Sequence, residues 1–124
     1  ILDEPMGGLD PAGKRGLLAA LSDLQQRAEP VTIVMTESDP EAAAAFASRV
    51  LVLAGGRFAL EGAPGALFAR PGQLAALGVA SPQLARLAAT LNERMGTRFD
   101  FYTLDQARDT LANRLGPAPH DHDR

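Results

Sequence analysis

Near the start of the chain, a short apolar run at Ile1-Leu2 is followed by leucines at the spacing of a helix. Four leucines share one helical face: Leu17, Leu18, Leu21 and Leu24. Asp10-Pro11 precedes them and is a strong helix start, because aspartate caps free amides and proline fits the first helical position. We therefore predict a helix that runs to about Ala28, keeps Lys14 in solvent and is stopped by Pro30.

Two short apolar runs follow, each without the length of a helix. VTIVM at 31–35 and RVLVL at 49–53 are predicted strands, the first of them buried in a mostly parallel sheet. Between them, Asp39 can cap the helix EAAAAFA. The glycines of AGG at 54–56 permit a hairpin turn into RFALEG. The alternation predicts an α/β fold of mostly parallel strands plus a terminal hairpin.

After Gly62 the pattern becomes helical, interrupted by prolines and glycines. Ser81-Pro82 is a predicted cap for a helix with one apolar stripe: Leu84, Leu87, Ala88, Leu91 and Met95. Thr103 and Gln106 fit a capping box that opens a last helix, whose apolar face is Leu104, Ala107, Leu111 and Leu115. We expect the two helices to pack together. The alternative is an interaction module in which 82–95 and 104–115 pair with a second copy.

Composition and charge narrow the class of protein. The 124 residues are 46% hydrophobic and 22% charged, as in a globular chain and unlike a disordered one. A net charge of -3 gives no electrostatic case for binding nucleic acid. No apolar run approaches the roughly 20 residues that span a bilayer. The absence of cysteine excludes disulfides and thiol chemistry and suits a reducing cytoplasm.

The stretch ILDEPMGGLD carries the candidate chemistry. If Ile1 and Leu2 end a buried strand, Asp3 and Glu4 emerge at its carboxyl edge, where open α/β sheets bind ligands. Asp3 could then hold Mg²⁺ directly or through water, and Glu4 could orient a water for attack on a phosphoryl group. The alternative for Asp-Glu-Pro by itself is an ordinary exposed turn.

The longer string ILDEPMGGLDP resembles the Walker B segment and D-loop of ABC-transporter ATPases, with Gly8 and Asp10 in the D-loop. The following VTIVMTESDPEAAAAFASRVLVLAGGRFALEGAP resembles the family's switch region and hairpin, and LGVASPQLARLAATL is most similar to the C-terminal domain of energy-coupling-factor ATPases for vitamin, cobalt or nickel uptake. The resemblance implies a P-loop NTPase fold, use of ATP and Mg²⁺, and a position on the cytoplasmic face of the cell membrane. It also implies a second ABC ATPase domain and transmembrane subunits as partners, with no nucleic acid.

The chain departs from this family in two ways. It contains neither a Gly-x-x-x-x-Gly-Lys-Ser/Thr loop nor a Leu-Ser-Gly-Gly-Gln signature, so we expect a C-terminal part that is inactive alone. Ser38 stands at the switch-histidine position, where it can donate one hydrogen bond to a γ-phosphate but cannot become cationic. This favours slow turnover, and a catalytically degenerate subunit is the alternative function. Ser38 could instead merely cap the next helix. Glu37 could be a substitute base, but an exposed loop carboxylate is the favoured interpretation.

The resemblance implies three regions. Residues 1–69 are the predicted end of an ABC ATPase domain, 70–115 a small helical domain and 116–124 a disordered tail. His120 and His122 in the tail could bind a metal ion between aspartates, but a solvated tail is the favoured interpretation.

Overall fold

The computed structural model describes residues 1–116 as an α/β chain with two small sheets. The strands are β1 (Leu2–Asp3), β2 (Met35–Thr36), β3 (Val50–Ala54) and β4 (Arg57–Gly62). The helices are α1 (Pro11–Gln25), α2 (Pro40–Phe46), α3 (Pro64–Phe68), α4 (Pro71–Ala76), α5 (Gln83–Met95) and α6 (Leu104–Leu115). The predicted tail from position 117 onward, with both histidines, lies outside the described residues.

The first helix begins where its capping signal predicts. The Asp10 side chain accepts a hydrogen bond from the Gly13 amide at 2.7 Å, and Pro11 is the first helical residue. The helix ends at Gln25, three residues before the predicted Ala28. Leu24 is the last residue of the apolar repeat, and residues 25–30 are all exposed, so no packing extends the helix.

The prediction of a buried strand over 31–35 is wrong for most of that run. Only Met35–Thr36 forms a strand, in parallel register with Leu2–Asp3, and Val31 and Val34 are 49% and 57% exposed. Strand geometry requires a neighbour to pair with, and among the described residues β1 offers only two positions.

The hairpin prediction is confirmed. β3 and β4 are antiparallel, and Gly55 and Gly56 connect them with φ of +56° and +73°, values that glycine adopts without the cost of a side chain. Because this hairpin is a separate sheet from the β1–β2 pair, the expectation of mostly parallel strands holds only for that first pair.

Three apolar clusters form the core of the described chain. The first packs α1 and α2 around the β1–β2 pair and is centred on Met6, Leu21 and Ala42. The second joins α2 and the hairpin to the later helices: Ala44, Val52, Leu67, Phe68, Leu74 and Ala85. The third contains Ala88, Phe101 and Ala107. Since the second cluster has members on both sides of position 69, the domain boundary proposed there stays a prediction.

The third cluster confirms that α5 and α6 pack together. Leu84 and Leu91 of α5 and Leu111 of α6 lie against its buried members. The loop between the helices is tied by Asn92, whose side chain donates to the Phe99 carbonyl at 2.8 Å and accepts from the Phe99 amide at 2.7 Å. The Thr103–Gln106 capping box opens α6 as predicted.

Parts of the predicted apolar faces are wrong. Met95 and Leu104 are 68% and 73% exposed, since Met95 is the last residue of α5 and Leu104 is the first residue of α6. Leu87 is also exposed, because it lies at the side of its stripe. The side chain of Leu115 lies outside the described part of the chain.

The predicted cap at Ser81 is also wrong. Its side chain makes no cap hydrogen bond, and the buried Oγ has no partner within residues 1–116. The Gln83 amide at the start of α5 instead donates to Glu41 Oε1 of α2 at 2.7 Å.

Candidate functional site

The acid pair lies at the carboxyl end of β1, beside the end of β2. Asp3 is in register with Thr36, and Glu4 is the first residue beyond the strand. The Glu4 amide donates to the Thr36 carbonyl at 3.1 Å, which extends the parallel ladder past the last paired residue. Both carboxylates are exposed at this edge, the position where parallel sheets place ligand-binding groups.

Thr36 organises this edge, a role that the sequence analysis did not assign to it. Its Oγ1 donates to Asp3 Oδ1 and accepts from the Glu4 amide, the latter at 3.0 Å. One hydroxyl therefore orients the Asp3 carboxylate and holds the Glu4 backbone. The available signal was a hydroxyl residue immediately after a β-branched run, at the same sheet edge as the acids.

Glu4 has a left-handed backbone with φ of +45°, the only non-glycine residue in the described chain with a positive φ. Such a conformation costs about 1–3 kcal/mol and persists only where its surroundings hold it. Two hydrogen bonds to Thr36 hold the amide, and the Gly7 amide donates to the Glu4 carbonyl at 3.0 Å. A side chain at Gly7 would place its Cβ 3.1 Å from that carbonyl oxygen, so glycine suits this turn.

Ser38 contacts Glu4 directly. The Ser38 hydroxyl donates to Glu4 Oε2 at 3.0 Å, and the Ser38 amide lies 3.2 Å from the same oxygen. The structure thus brings together the two residues that were predicted to be catalytic, from positions 34 apart in the sequence. Ser38 does not cap α2, since Asp39 does so by accepting from the Glu41 amide at 3.0 Å.

The loop between Thr36 and α2 is held from within by Glu37. Its Oε1 accepts from the amides of Ser38 and Asp39, each at 3.0 Å, while Oε2 is buried without a partner among the described residues. Glu37 is partly buried, so the expectation of an exposed loop carboxylate is wrong. Its carboxylate shapes the backbone of the loop that presents Ser38.

The loop is also held from α1. Lys14 Nζ donates to Asp39 Oδ2 at 2.6 Å, so Lys14, which stays 36% exposed, also makes an ion pair that the sequence analysis did not predict. The hydrogen bond from Lys14 lowers the pKa of Asp39, and the same bond raises the pKa of Lys14. The signal for this pair was weak: a lysine one turn after a helix cap and an acid after the next strand.

Gly8 and Asp10 lie in the turn between the acid pair and α1. Gly8 has φ of +73°, and no atom lies within 4 Å of where its Cβ would be. The Asp10 carboxylate caps α1 through Gly13. These geometries explain the residue types locally, and a role for either residue in binding stays a prediction.

The donor set fits magnesium at Asp3 in part. An exposed carboxylate oxygen is a ligand that Mg²⁺ prefers, and Mg²⁺ keeps several waters, so it needs few protein ligands. Within residues 1–116 no group of three or more His, Cys, Asp or Glu side chains is placed to hold a metal ion. Asp3 therefore suits a metal shared with a bound phosphate and not an all-protein cage.

Among the described helices, none is both long enough and apolar enough to cross a membrane.

The site consists of an acid pair at a strand end, a glycine turn and a capped helix. This is the arrangement that the sequence resemblance to ABC-type ATP-binding proteins implies. Comparison with known proteins confirms the resemblance. No protein-family model matches the chain. The chain is 34% identical, over 93% of its length, to the energy-coupling factor transporter ATP-binding protein EcfA2 of Halalkalibacterium halodurans, and this match covers 41% of that protein. The EcfA2 protein of Symbiobacterium thermophilum is 38% identical over 94% of the chain and 41% of the relative. That of Bacillus subtilis is 34% identical over 81% of the chain and 36% of the relative.

These relatives are named as ATP-binding proteins of energy-coupling factor transporters, and the chain is homologous to part of them. It spans about two-fifths of the length of the first two.

Proposed function

We propose that the chain is the C-terminal part of an ATP-binding subunit of an ABC-type uptake transporter of the energy-coupling factor kind. The full-length subunit hydrolyses ATP, and this part contributes Asp3, Glu4 and Ser38 to the site. The observation that carries the proposal is the hydrogen bond from Ser38 to Glu4 at the edge where β1 and β2 end. It joins two separate sequence motifs of the same ATPase resemblance in one place.

In the proposed mechanism, Glu4 orients the water that attacks the γ-phosphate, and the backbone bonds to Thr36 keep its carboxylate at the sheet edge. Asp3 would hold Mg²⁺ through an oxygen that Thr36 leaves free, and the metal would supply neutralisation of the phosphate charge. Because the segment contains no phosphate-loop motif, the cradle for ATP must come from elsewhere in the subunit.

Ser38 also supports a second candidate function, a subunit that binds ATP but hydrolyses it slowly. A serine has one hydroxyl proton, and here that proton is donated to Glu4. It is then not available to a γ-phosphate oxygen unless the loop rearranges. Loss of one such donor costs roughly a hundredfold to a thousandfold in rate in other enzymes.

The assembly is part of the proposal. We propose that the turn with Gly8 and Asp10 faces a second ABC ATPase domain, of the same or a different chain, and that the pair works on transmembrane subunits at the cytoplasmic face of the cell membrane. We also propose that residues 1–69 complete the ATPase domain and that 70–115 form a small helical domain. The segment alone is expected to be inactive.

Replacement of the proposed catalytic carboxylate tests the function. In the full-length subunit, Glu4→Gln keeps the shape of the side chain and its bond from Ser38 but removes the negative charge, so ATP turnover should fall by about 10²- to 10⁴-fold while ATP binding persists. Glu61→Gln is the matched control, because Glu61 is an exposed carboxylate on β4, paired with Arg49. Steady-state ATPase assays and nucleotide titrations provide the measurements. Equal turnover in wild type and both variants contradicts hydrolysis through Glu4. It would favour the second candidate function, a subunit that binds ATP but hydrolyses it slowly or not at all.

A further inference from the structure

We propose that Lys14 is a positioning residue for Ser38, through its ion pair with Asp39. This inference rests on the proposed function, since it concerns the same site. The juxtaposition is a chain of adjacent contacts: Lys14 binds Asp39, and the neighbouring Ser38 binds Glu4. No part of the sequence resemblance assigns a role to Lys14.

The ion pair connects the two segments that form the site. Lys14 lies in the first turn of α1, directly after the turn that carries Gly8 and Asp10. Asp39 lies one residue after Ser38. A displacement of the N-terminal turn of α1 is therefore transmitted by one side-chain contact of 2.6 Å to the loop that presents the Ser38 hydroxyl.

The other contacts of the loop do not replace this one. Glu37 bonds only the backbone of the loop itself, at Ser38 and Asp39, so it fixes the shape of the loop but not its place against α1. Asp39 uses its second oxygen, Oδ1, to cap α2. Removal of Lys14 therefore leaves the helix cap, the loop shape and the apolar packing of α2 on α1 intact, and it releases the polar contact of the loop with α1.

The charges around the pair agree with this role. Glu37 adds a second negative charge near Lys14, and the hydrogen bond from Lys14 lowers the pKa of Asp39, so both partners are ionised near neutral pH. Each side chain is only partly exposed, at 36% for Lys14 and 29% for Asp39, which limits screening by solvent.

A double-mutant cycle in the full-length subunit tests the inference. Lys14→Met should lower kcat by about threefold to fivefold, the range for a partly exposed pair, with the KM for ATP unchanged. Lys14→Arg keeps a charged donor and should restore kcat. In a Ser38→Ala background, Lys14→Met should have no further effect, because the group that it positions is gone. Arg15→Met, at the next and exposed position of α1, is the control and should leave kcat unchanged.

Two results overturn the inference. One is a fall in kcat on Lys14→Met that is as large in the Ser38→Ala background as in the wild type, which assigns Lys14 a structural role. The other is a kcat that Lys14→Met does not change. If the cycle is additive while Glu4→Gln abolishes turnover, only the role of Lys14 is lost. If Glu4→Gln retains full turnover, the proposed function itself fails.

Discussion

The sequence and the structure assign the N-terminal cap of α5 to different residues, so they predict opposite effects of mutation on its stability. The sequence indicates that Ser81 caps this helix, so Ser81→Ala should destabilise it. In the structure, Glu41 of α2 accepts from the first helical amide, and Ser81 contributes a buried hydroxyl without a partner. The structure therefore predicts that Glu41→Ala destabilises α5 and that Ser81→Ala does not.

The magnitudes follow from the two environments. Loss of a side-chain cap costs about 0.5–2 kcal/mol, and the exposed Glu41 belongs in the middle of that range, at about 1 kcal/mol. Ser81 is 8% exposed, and a buried unsatisfied polar group costs about 1–3 kcal/mol. Its removal should therefore leave stability unchanged or raise it by up to about 1 kcal/mol.

Hydrogen–deuterium exchange of the α5 amides in the proposed full-length subunit measures both effects locally. Glu41→Ala should speed exchange of the protected amides by about fivefold, and Ser81→Ala should leave it equal or slower. Glu41→Gln is the matched variant, since its amide oxygen still accepts the bond and should preserve most of the protection. Faster exchange in Ser81→Ala together with normal exchange in Glu41→Ala would refute the assignment of the cap to Glu41.

Two further predictions concern the core and the ion pair. Phe101 is 1% exposed in the third cluster, so Phe101→Ala should cost about 3–5 kcal/mol in thermal or urea unfolding, whereas Phe58→Ala, at a position 69% exposed, should cost far less; similar losses would contradict the burial of Phe101. The pKa of Asp39 is lowered in the folded chain, so its pairing with Lys14 stabilises above the ordinary aspartate pKa and is lost as the pH falls through the lowered value. The raised pKa of Lys14 keeps that contribution below the ordinary lysine pKa and removes it as the pH rises through the raised value. Unfolding of wild type and Lys14→Met should thus differ near neutral pH and converge in strong acid; a difference that persists there would contradict the pairing.

Local signals predicted most of the secondary structure. The caps at Asp10, Asp39 and Thr103 and the hairpin glycines all act within a few residues, and the structure confirms each. The strand over 31–35 failed because a strand depends on a neighbour that the run itself does not specify. The Ser81 cap failed for a related reason, since the acceptor for α5 comes from a helix 42 residues away.

The candidate site shows the same division. The sequence alone identified Asp3, Glu4 and Ser38 as candidate site residues, because the family resemblance places them in motifs of one site. The contacts that support them are not visible in the sequence, because Thr36 and Lys14 reach the site only when β1 and β2 align and α1 packs beside them. Partly exposed polar residues carry no periodic signal, so such supporting contacts escape pattern analysis.

The second apolar cluster restricts how this segment can be exchanged between related proteins. Ala44 and Val52 pack in the same cluster as Leu74 and Ala85, across the position where the sequence suggests a junction. A chimera joined at residue 69 would combine two halves of a core that were never fitted to each other. Grafting the residues after position 69 onto a relative therefore requires moving the packed surface of α2 and the hairpin with them.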